Sequence, residues 1–205
     1  MNPPGRAPSE RAGSAREALL EAAVHEFAER GYEGVRLDHV ARRAGCNRAL
    51  IYRYFGDREG LFREALKLEF ARRAGLLDEA PGNFGELLAW WTSVTLRNPT
   101  FIRIILRESL DYAGGEPIES RARSEYYRRQ LGMLEAFRAR ELVDERFDAE
   151  PLFLALLSVV ILPAIMPQVV RLVTGQDARS DAFLERWDRF LHQLAESLGP
   201  QERKP

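Results

Sequence analysis

The sequence predicts an all-α protein of about nine helices, and three observations carry that prediction. Apolar residues recur at helical spacing from one end of the 205-residue chain to the other. Capping residues stand in front of most of these runs, and glycine or proline follows most of them. No stretch alternates apolar and polar residues in the manner of a strand.

The elements follow in order. Ser14 and Glu17 are spaced as a capping box and open a first helix with an inner face of Leu20, Ala23, Val24, Phe27 and Ala28, ending at Gly31. A second helix carries Leu37, Val40, Ala41 and Ala44 on one face, and Gly45 ends it because glycine takes a left-handed C-cap without steric cost. The side chain of Asn47 suits the cap of a short third helix, Arg48 to Phe55. Asp57 caps a fourth from Arg58 to Leu77, with Leu61, Phe62, Ala65 and Leu66 inward.

A break at Asp78 to Asn83 contains Pro81 and Gly82. Asn83 and Glu86 repeat the capping pattern and start a fifth helix through Trp90 and Trp91. Asn98 and Pro99 separate it from a sixth, since proline suits a first helical turn. Gly114, Gly115 and Pro117 precede a seventh, Ile118 to Arg140. Asp148 caps a long apolar eighth that stops at Gly175 and is bent by Pro163 and Pro167. Ser180 caps a ninth that ends at Gly199.

The domain organisation read from these elements is a disordered tail at 1–13, a small basic helical unit at 14–60, a connecting fourth helix at 58–77, a larger helical domain at 78–199 and a short tail at 200–205. A hydrophobic content of 45% and a charged content of 30% are those of a soluble globular protein long enough to bury a real core. The single Cys46 excludes an internal disulfide and fits a reducing cytoplasm. Its place at the turn also suits a small apolar residue, which a buried cysteine resembles. The first residues have no apolar run of the kind a signal peptide needs. Pro151 to Val170 has no charge and is long enough to be weighed as a membrane span. Its two prolines and its single ring, Phe153, fit a helix buried in a bundle or dimer seam better, so no membrane partner is expected.

The second and third helices with the turn between them read as a helix-turn-helix. The third helix combines cationic and aromatic side chains with few aliphatic ones, which is unlike a core helix. From Arg36 to Arg58 six arginines face two acids, whereas the whole chain has net charge −1. The positive charge is therefore a local patch, the footprint expected opposite a phosphate backbone. Ile51 and Phe55 fall on the inner face and are expected in the core.

Residues Gly31 to Leu66, GYEGVRLDHVARRAGCNRALIYRYFGDREGLFREAL, resemble the TetR family of bacterial transcriptional regulators. The resemblance lies in the alanine-glycine turn, the Tyr-x-Tyr-Phe end of the recognition helix and the Gly-Asp-Arg-Glu-Gly-Leu-Phe entry to the fourth helix, and it covers about Ala15 to Leu68. It implies a bacterial, cytoplasmic, nucleoid-associated homodimeric repressor. It also implies that the third helix enters the major groove of a palindromic double-stranded DNA operator, and that a small, largely apolar effector releases it. The DNA-facing set it implies is Arg36, Arg43, Asn47, Arg48, Ala49, Leu50, Tyr52, Arg53, Tyr54 and Arg58. Arg48 and Arg53 are the candidates for base edges, and Tyr52 and Tyr54 for phosphates. Arg58 stands where the family usually has lysine, at a helix N-terminus suited to phosphate. Two positions depart from the family pattern: Arg36 replaces a small hydroxyl residue that would cap the second helix, and Leu50 replaces a frequent threonine.

For the effector pocket the expected residues are Trp90, Trp91, Thr95, Arg107, Tyr112, Tyr126, Met133 and Phe137, large apolar groups with a few polar ones. For the dimer interface they are Leu162, Val169, Phe183, Trp187, Phe190, Leu191 and Leu194, on the last two helices. No enzyme is expected. His25, His39 and His192 have no histidine or cysteine at metal-ligand spacing, there is no phosphate loop or nucleophile elbow, and no cofactor is called for. The other readings are a helical ligand carrier or small enzyme with an incidental basic patch, and a DNA binder with no effector.

Overall fold

The computed structural model describes residues 8–110 and 116–200. Its helices are α1 (Pro8–Gly34), α2 (Leu37–Arg43), α3 (Ala49–Phe55), α4 (Arg58–Leu76), α5 (Phe84–Arg97), α6 (Thr100–Leu110), α7 (Ser120–Ala139), α8 (Ala149–Ile165), α9 (Pro167–Thr174) and α10 (Asp181–Ser197). A 3₁₀ turn, Leu77–Glu79, follows α4. The described residues contain no strand.

Five of the predicted caps are present. Asn47 Oδ1 accepts from Ala49 N at 2.8 Å, Asp57 Oδ1 from Gly60 N at 2.8 Å and Asn83 Oδ1 from Glu86 N at 3.1 Å. Asp148 Oδ1 accepts from Glu150 N at 3.2 Å, and Ser180 Oγ from Phe183 N at 3.3 Å. Each satisfies an amide that the first turn of a helix leaves without an intrahelical partner.

Two expectations are corrected. Ser14 does not open the first helix: α1 begins at Pro8, and Ser14 lies within it. The expected ending at Gly31 does appear, as a kink with φ 72° and ψ 174°. The eighth helix is not one bent helix. It is two, α8 and α9, set at 86° about Met166. Pro163 is accommodated inside α8, whereas the break falls before Pro167. A residue ahead of proline is pushed out of the helical region, and Met166 has φ −128° and ψ 54°. Pro167 then sits at the first position of α9, where its missing N–H is harmless. No single described helix is long and apolar enough to cross a membrane.

The chain forms two compact units. The first comprises residues 1–72 and 103–120. Its core is built from α1 (Leu19, Ala23, Val24, Phe27), α2 (Val40, Ala41), α3 (Ile51, Phe55) and α4 (Leu61, Phe62, Ala65, Leu66). Phe27 and Phe62 meet edge to face at 4.7 Å. The segment 103–120 joins through Arg107, which donates to the Glu29 carbonyl at 3.2 Å, and through Glu119, which faces Arg63 and Lys67 at 3.6 and 3.4 Å.

The second unit comprises residues 73–102 and 121–205. Its core joins Phe84, Leu87 and Leu88 of α5 to Leu134 and Phe137 of α7, Leu152, Leu156 and Val160 of α8, and Leu191 and Ala195 of α10. Helix α5 packs against both α8 and α10. The crossing with α10 is close because Gly85 has no side chain; a Cβ there would lie 2.7 Å from His192 Cδ2 and 3.2 Å from its Cα.

Candidate nucleic-acid interface

Helices α2 and α3 are joined by Ala44 to Arg48. Gly45 adopts φ +63° and turns the chain, and Cys46 N bonds back to Ala41 O at 2.9 Å. Cys46 is partly buried, its sulfur 3.9 Å from the Ala15 carbonyl and 3.4 Å from that of Ala44. Ile51 and Phe55 anchor α3 in the core as expected, at 0% and 8% exposure. With those two positions inward, Arg48, Ala49, Tyr52 and Arg53 face outward and are exposed, while Leu50 and Tyr54 are half-buried.

The ten residues named from the sequence fall into two groups. Arg36, Asn47, Ala49, Leu50, Tyr52, Arg53 and Tyr54 lie along the α2 entry and the outer part of α3. Of these, Arg36 takes the N-cap position of α2 without capping it through its side chain. Neither Arg36 nor Arg53 makes an ion pair among the described residues, and Arg53 lies 5.8 Å from the Tyr54 ring.

The other three arginines are engaged within the unit. Arg43 donates to the buried carboxylate of Glu26 at 2.9 Å and lies 3.6 Å from Glu29. Arg58 donates to Glu33 at 3.1 Å and rests over the Tyr32 ring at 4.4 Å, tying the start of α4 to the end of α1. Arg48 donates through Nη1 to both carboxylate oxygens of Asp38, at 3.0 and 3.2 Å, and through Nη2 to the Tyr52 hydroxyl at 2.7 Å. That hydroxyl and the Asp38 charge hold the Arg48 guanidinium above its ordinary pKa.

Glu26, Asp38 and Gly60 also shape this region, in ways that their local sequence does not show. Glu26 is 5% exposed on α1. Burial alone would raise its pKa, but hydrogen bonds from Arg43 and Arg30 outweigh that and hold it below the ordinary value of 4.5. Gly60 brings the first turn of α4 against the end of α3: a Cβ there would lie 2.0 Å from the Phe55 carbonyl oxygen. The capping pattern around Asp57 accounted for this turn without revealing that approach.

The residues named for an effector are not gathered in one place. Thr95 and Tyr126 are buried in the second unit, and Trp91 is partly buried there. Arg73, which the sequence reading did not name, is 5% exposed there and donates to Thr95 Oγ1 at 3.1 Å. Its guanidinium lies 5.5 Å from the Trp91 ring and 5.0 Å from that of Phe101, which meets Tyr126 at 6.0 Å. Burial pushes the Tyr126 hydroxyl above its ordinary range, against the pull of Arg73. Nearby on α7, the Gln130 side-chain nitrogen is buried without a hydrogen-bond partner.

Trp90 and Met133 are partly buried against the α5–α7–α8–α10 core, and Phe137 is within it. Arg107 belongs to the first unit, and Tyr112 lies outside the described residues. An open cleft of about 300 Å³ lies elsewhere, between α5 and α10, lined by Thr92, Ser93, Leu184, Trp187 and Asp188.

Of the interface candidates, Phe183 and Leu191 are corrected: at 3% and 0% exposure they belong to the unit's own core. Phe190 and Val169 are exposed, and Leu162, Trp187 and Leu194 partly so. In the second unit the most exposed large apolar side chains are on α8 and α9, with Leu154 at 61%, Leu172 at 84% and Val173 at 78%.

A tri-helical core that presents a basic second helix of a helix-turn-helix defines a DNA-binding domain of the helix-turn-helix class. Residues 19–65 match the family model described as "Bacterial regulatory proteins, tetR family". That match covers the helix-turn-helix domain and not the rest of the chain. It is similar to the HTH-type transcriptional repressor SCO4008 of Streptomyces coelicolor, with 28% identity over 80% of this chain and 85% of that protein. It is also similar to the HTH-type transcriptional repressor NicS of Pseudomonas putida, with 31% identity over 50% of this chain and 51% of NicS. In fold it is similar to a TetR family transcription regulator from Marinobacter aquaeolei, with a TM-score of 0.69, 21% identity, and 94% of this chain and all of that one covered.

Proposed function

We propose that the protein is a transcriptional repressor that binds double-stranded DNA through α3, acts as a homodimer on a palindromic operator and is released by a small, largely apolar effector. The observation that carries the DNA reading is the outward face of α3. Ile51 and Phe55 fix the helix to the core, and Arg48, Tyr52 and Arg53 are thereby left exposed on the side away from it. Phosphate contacts from such groups set register, and guanidinium contacts to guanine edges set sequence preference. The two relatives described as repressors support the same direction of control.

The homodimer is supported by the apolar side chains that the second unit leaves exposed on α8, α9 and α10, Leu154, Val169, Leu172, Val173 and Phe190. Surfaces of that kind mark interaction sites in soluble proteins. The effector reading is supported by the buried cluster around Arg73, Thr95 and Tyr126. It places polar groups among aromatic rings, the composition of small-molecule sites.

Selection of genomic fragments with purified protein, followed by footprinting at near-physiological salt, tests the function. Protection of a two-fold symmetric sequence near a promoter is the expected result. Binding that follows salt and not sequence would leave a nonspecific DNA binder, and no binding after refolding from denaturant would favour a ligand carrier with an incidental basic patch.

A further inference from the structure

Among the described residues, Asp38 is the one acid paired with the arginine at the head of the recognition helix, and it is exposed, outside the core. It is exposed in the first turn of α2, with both its oxygens turned to Arg48 Nη1. The Arg48 guanidinium is also held by the Tyr52 hydroxyl, one turn along α3, and lies 5.5 Å from the Tyr52 ring. A long, otherwise mobile side chain is thus held from two directions on the outward face of the domain. Its Nε–H and the second hydrogen of Nη2 have no partner among the described residues. A guanidinium with donors left over in this way can still offer a fork to the O6 and N7 acceptors of guanine.

We propose that Asp38 is a positioning residue for sequence discrimination. It holds Arg48 for a base edge and penalises every complex in which Arg48 turns to a phosphate. The inference rests on the reading of Arg48 as a base contact. Its physical basis is a difference between two bound states. When Arg48 meets a guanine through its remaining donors, Asp38 keeps its partner. When Arg48 swings to a phosphate, Asp38 is left as an unpaired carboxylate facing a polyanion. The first state retains the pair; the second loses it and adds repulsion. Asp38 therefore weakens binding to arbitrary DNA more than binding to the cognate sequence, which is specificity obtained by opposing the wrong partner.

The test compares two duplexes of equal length and base composition, one enriched by the wild-type protein from a random pool and one scrambled. Affinities of wild type, Asp38→Asn, Asp38→Glu, Arg48→Ala and the Asp38→Asn/Arg48→Ala double variant are measured on both, over a range of salt. Asp38→Asn is expected to tighten binding to the scrambled duplex and to lower the ratio of the two affinities by about five- to tenfold, the lower end of what one bidentate base contact supplies. Its salt dependence on the scrambled duplex should steepen by about one phosphate's worth of counterion release. Asp38→Glu keeps the charge but displaces the carboxylate, and it too should lower the ratio. In the Arg48→Ala background Asp38→Asn should leave the ratio where Arg48→Ala alone puts it.

An unchanged ratio in Asp38→Asn, or an equal shift on both duplexes, would overturn the proposal and leave Asp38 a simple surface charge. A wild-type protein that enriches no sequence at all would instead overturn the reading of Arg48 on which the proposal rests. Thermal midpoints of all variants, expected to match wild type closely because the pair is exposed, separate these outcomes from misfolding.

Discussion

Arg43 reaches from the end of α2 to the buried carboxylate of Glu26 in α1, 2.9 Å away. Glu26 also takes Arg30 at 2.9 Å on its other oxygen, so one carboxylate within the first helix gathers two cations at the base of the helix-turn-helix. An arginine placed in the basic patch by sequence is thereby a structural element. Glu26→Gln is expected to destabilise the first unit by about 1.5–3 kcal/mol, the range for hydrogen bonds to charged groups. Urea unfolding followed by circular dichroism measures it, with the midpoint falling and the slope unchanged.

The same pair sets a pH dependence. The Glu26 pKa is lowered in the folded protein from an ordinary value of 4.5, so the unfolded state takes up its proton at the higher pH. Its contribution is complete above about 4.5 and is lost as the pH falls through the lower, folded value. The acid limb of a stability-against-pH curve should therefore flatten in Glu26→Gln relative to wild type.

Gly60 and Gly132 should respond to alanine in opposite directions. At Gly60 a Cβ meets the Phe55 carbonyl oxygen at 2.0 Å, and backbone cannot give way as a side chain can. Gly60→Ala should lose about 1–3 kcal/mol, the usual range for overpacking, and weaken DNA binding by shifting α3 against α4. Gly132 lies within α7 with nothing within 4 Å of the added carbon. Gly132→Ala should gain about 0.5–1 kcal/mol by helix propensity. Thermal unfolding of the two variants beside wild type checks both signs.

Arg53 on α3 and Arg48 at its N-cap are both exposed but differ in what holds them, and their removal should differ in kind. Arg53 has no ion-pair partner among the described residues to hold it for a base edge, the role expected from the sequence, so Arg53→Ala is expected to weaken binding to all duplexes alike and to reduce the salt slope by about one contact. Arg48→Ala should relax sequence preference. Titrations on an enriched and a scrambled duplex at several salt concentrations distinguish the two patterns.

The apolar surface of α8 and α9 gives a prediction that separates interface from core. Leu172→Asp changes a side chain that is 84% exposed, and should leave the fold intact while shifting a dimer toward monomer in sedimentation velocity. Leu191→Ala removes a fully buried side chain and should cost about 2–5 kcal/mol of stability. A Leu172→Asp protein that stays dimeric at low concentration would move the interface elsewhere.

Local chemistry made much of the fold legible in the sequence. The caps at Asn47, Asp57, Asn83, Asp148 and Ser180, the turn at Gly45, and the inward face of Ile51 and Phe55 each depend on residues within a few positions of one another. The break at Met166 was half legible: two prolines announced a bend, but only the restriction that Pro167 places on the residue before it fixes where the helix stops.

What sequence by itself determined, then, is the all-α class, the order of the helices, the helix-turn-helix and the outward basic face of its second helix. Helical period and capping act over a turn or two, and both can be read along the chain. Tertiary structure alone decided which arginines are free and which are held. It placed Arg43 on Glu26, Arg58 on Glu33 and Arg48 on Asp38, and it put Phe183 and Leu191 in the core and Leu172 outside. Partners on different helices, such as Glu26 and Arg43 or Asp38 and Arg48, are brought together by packing angles that no local spacing encodes. An amphipathic stripe shows which side of a helix is apolar, but how much of it the chain's own core covers is settled only when the helices meet.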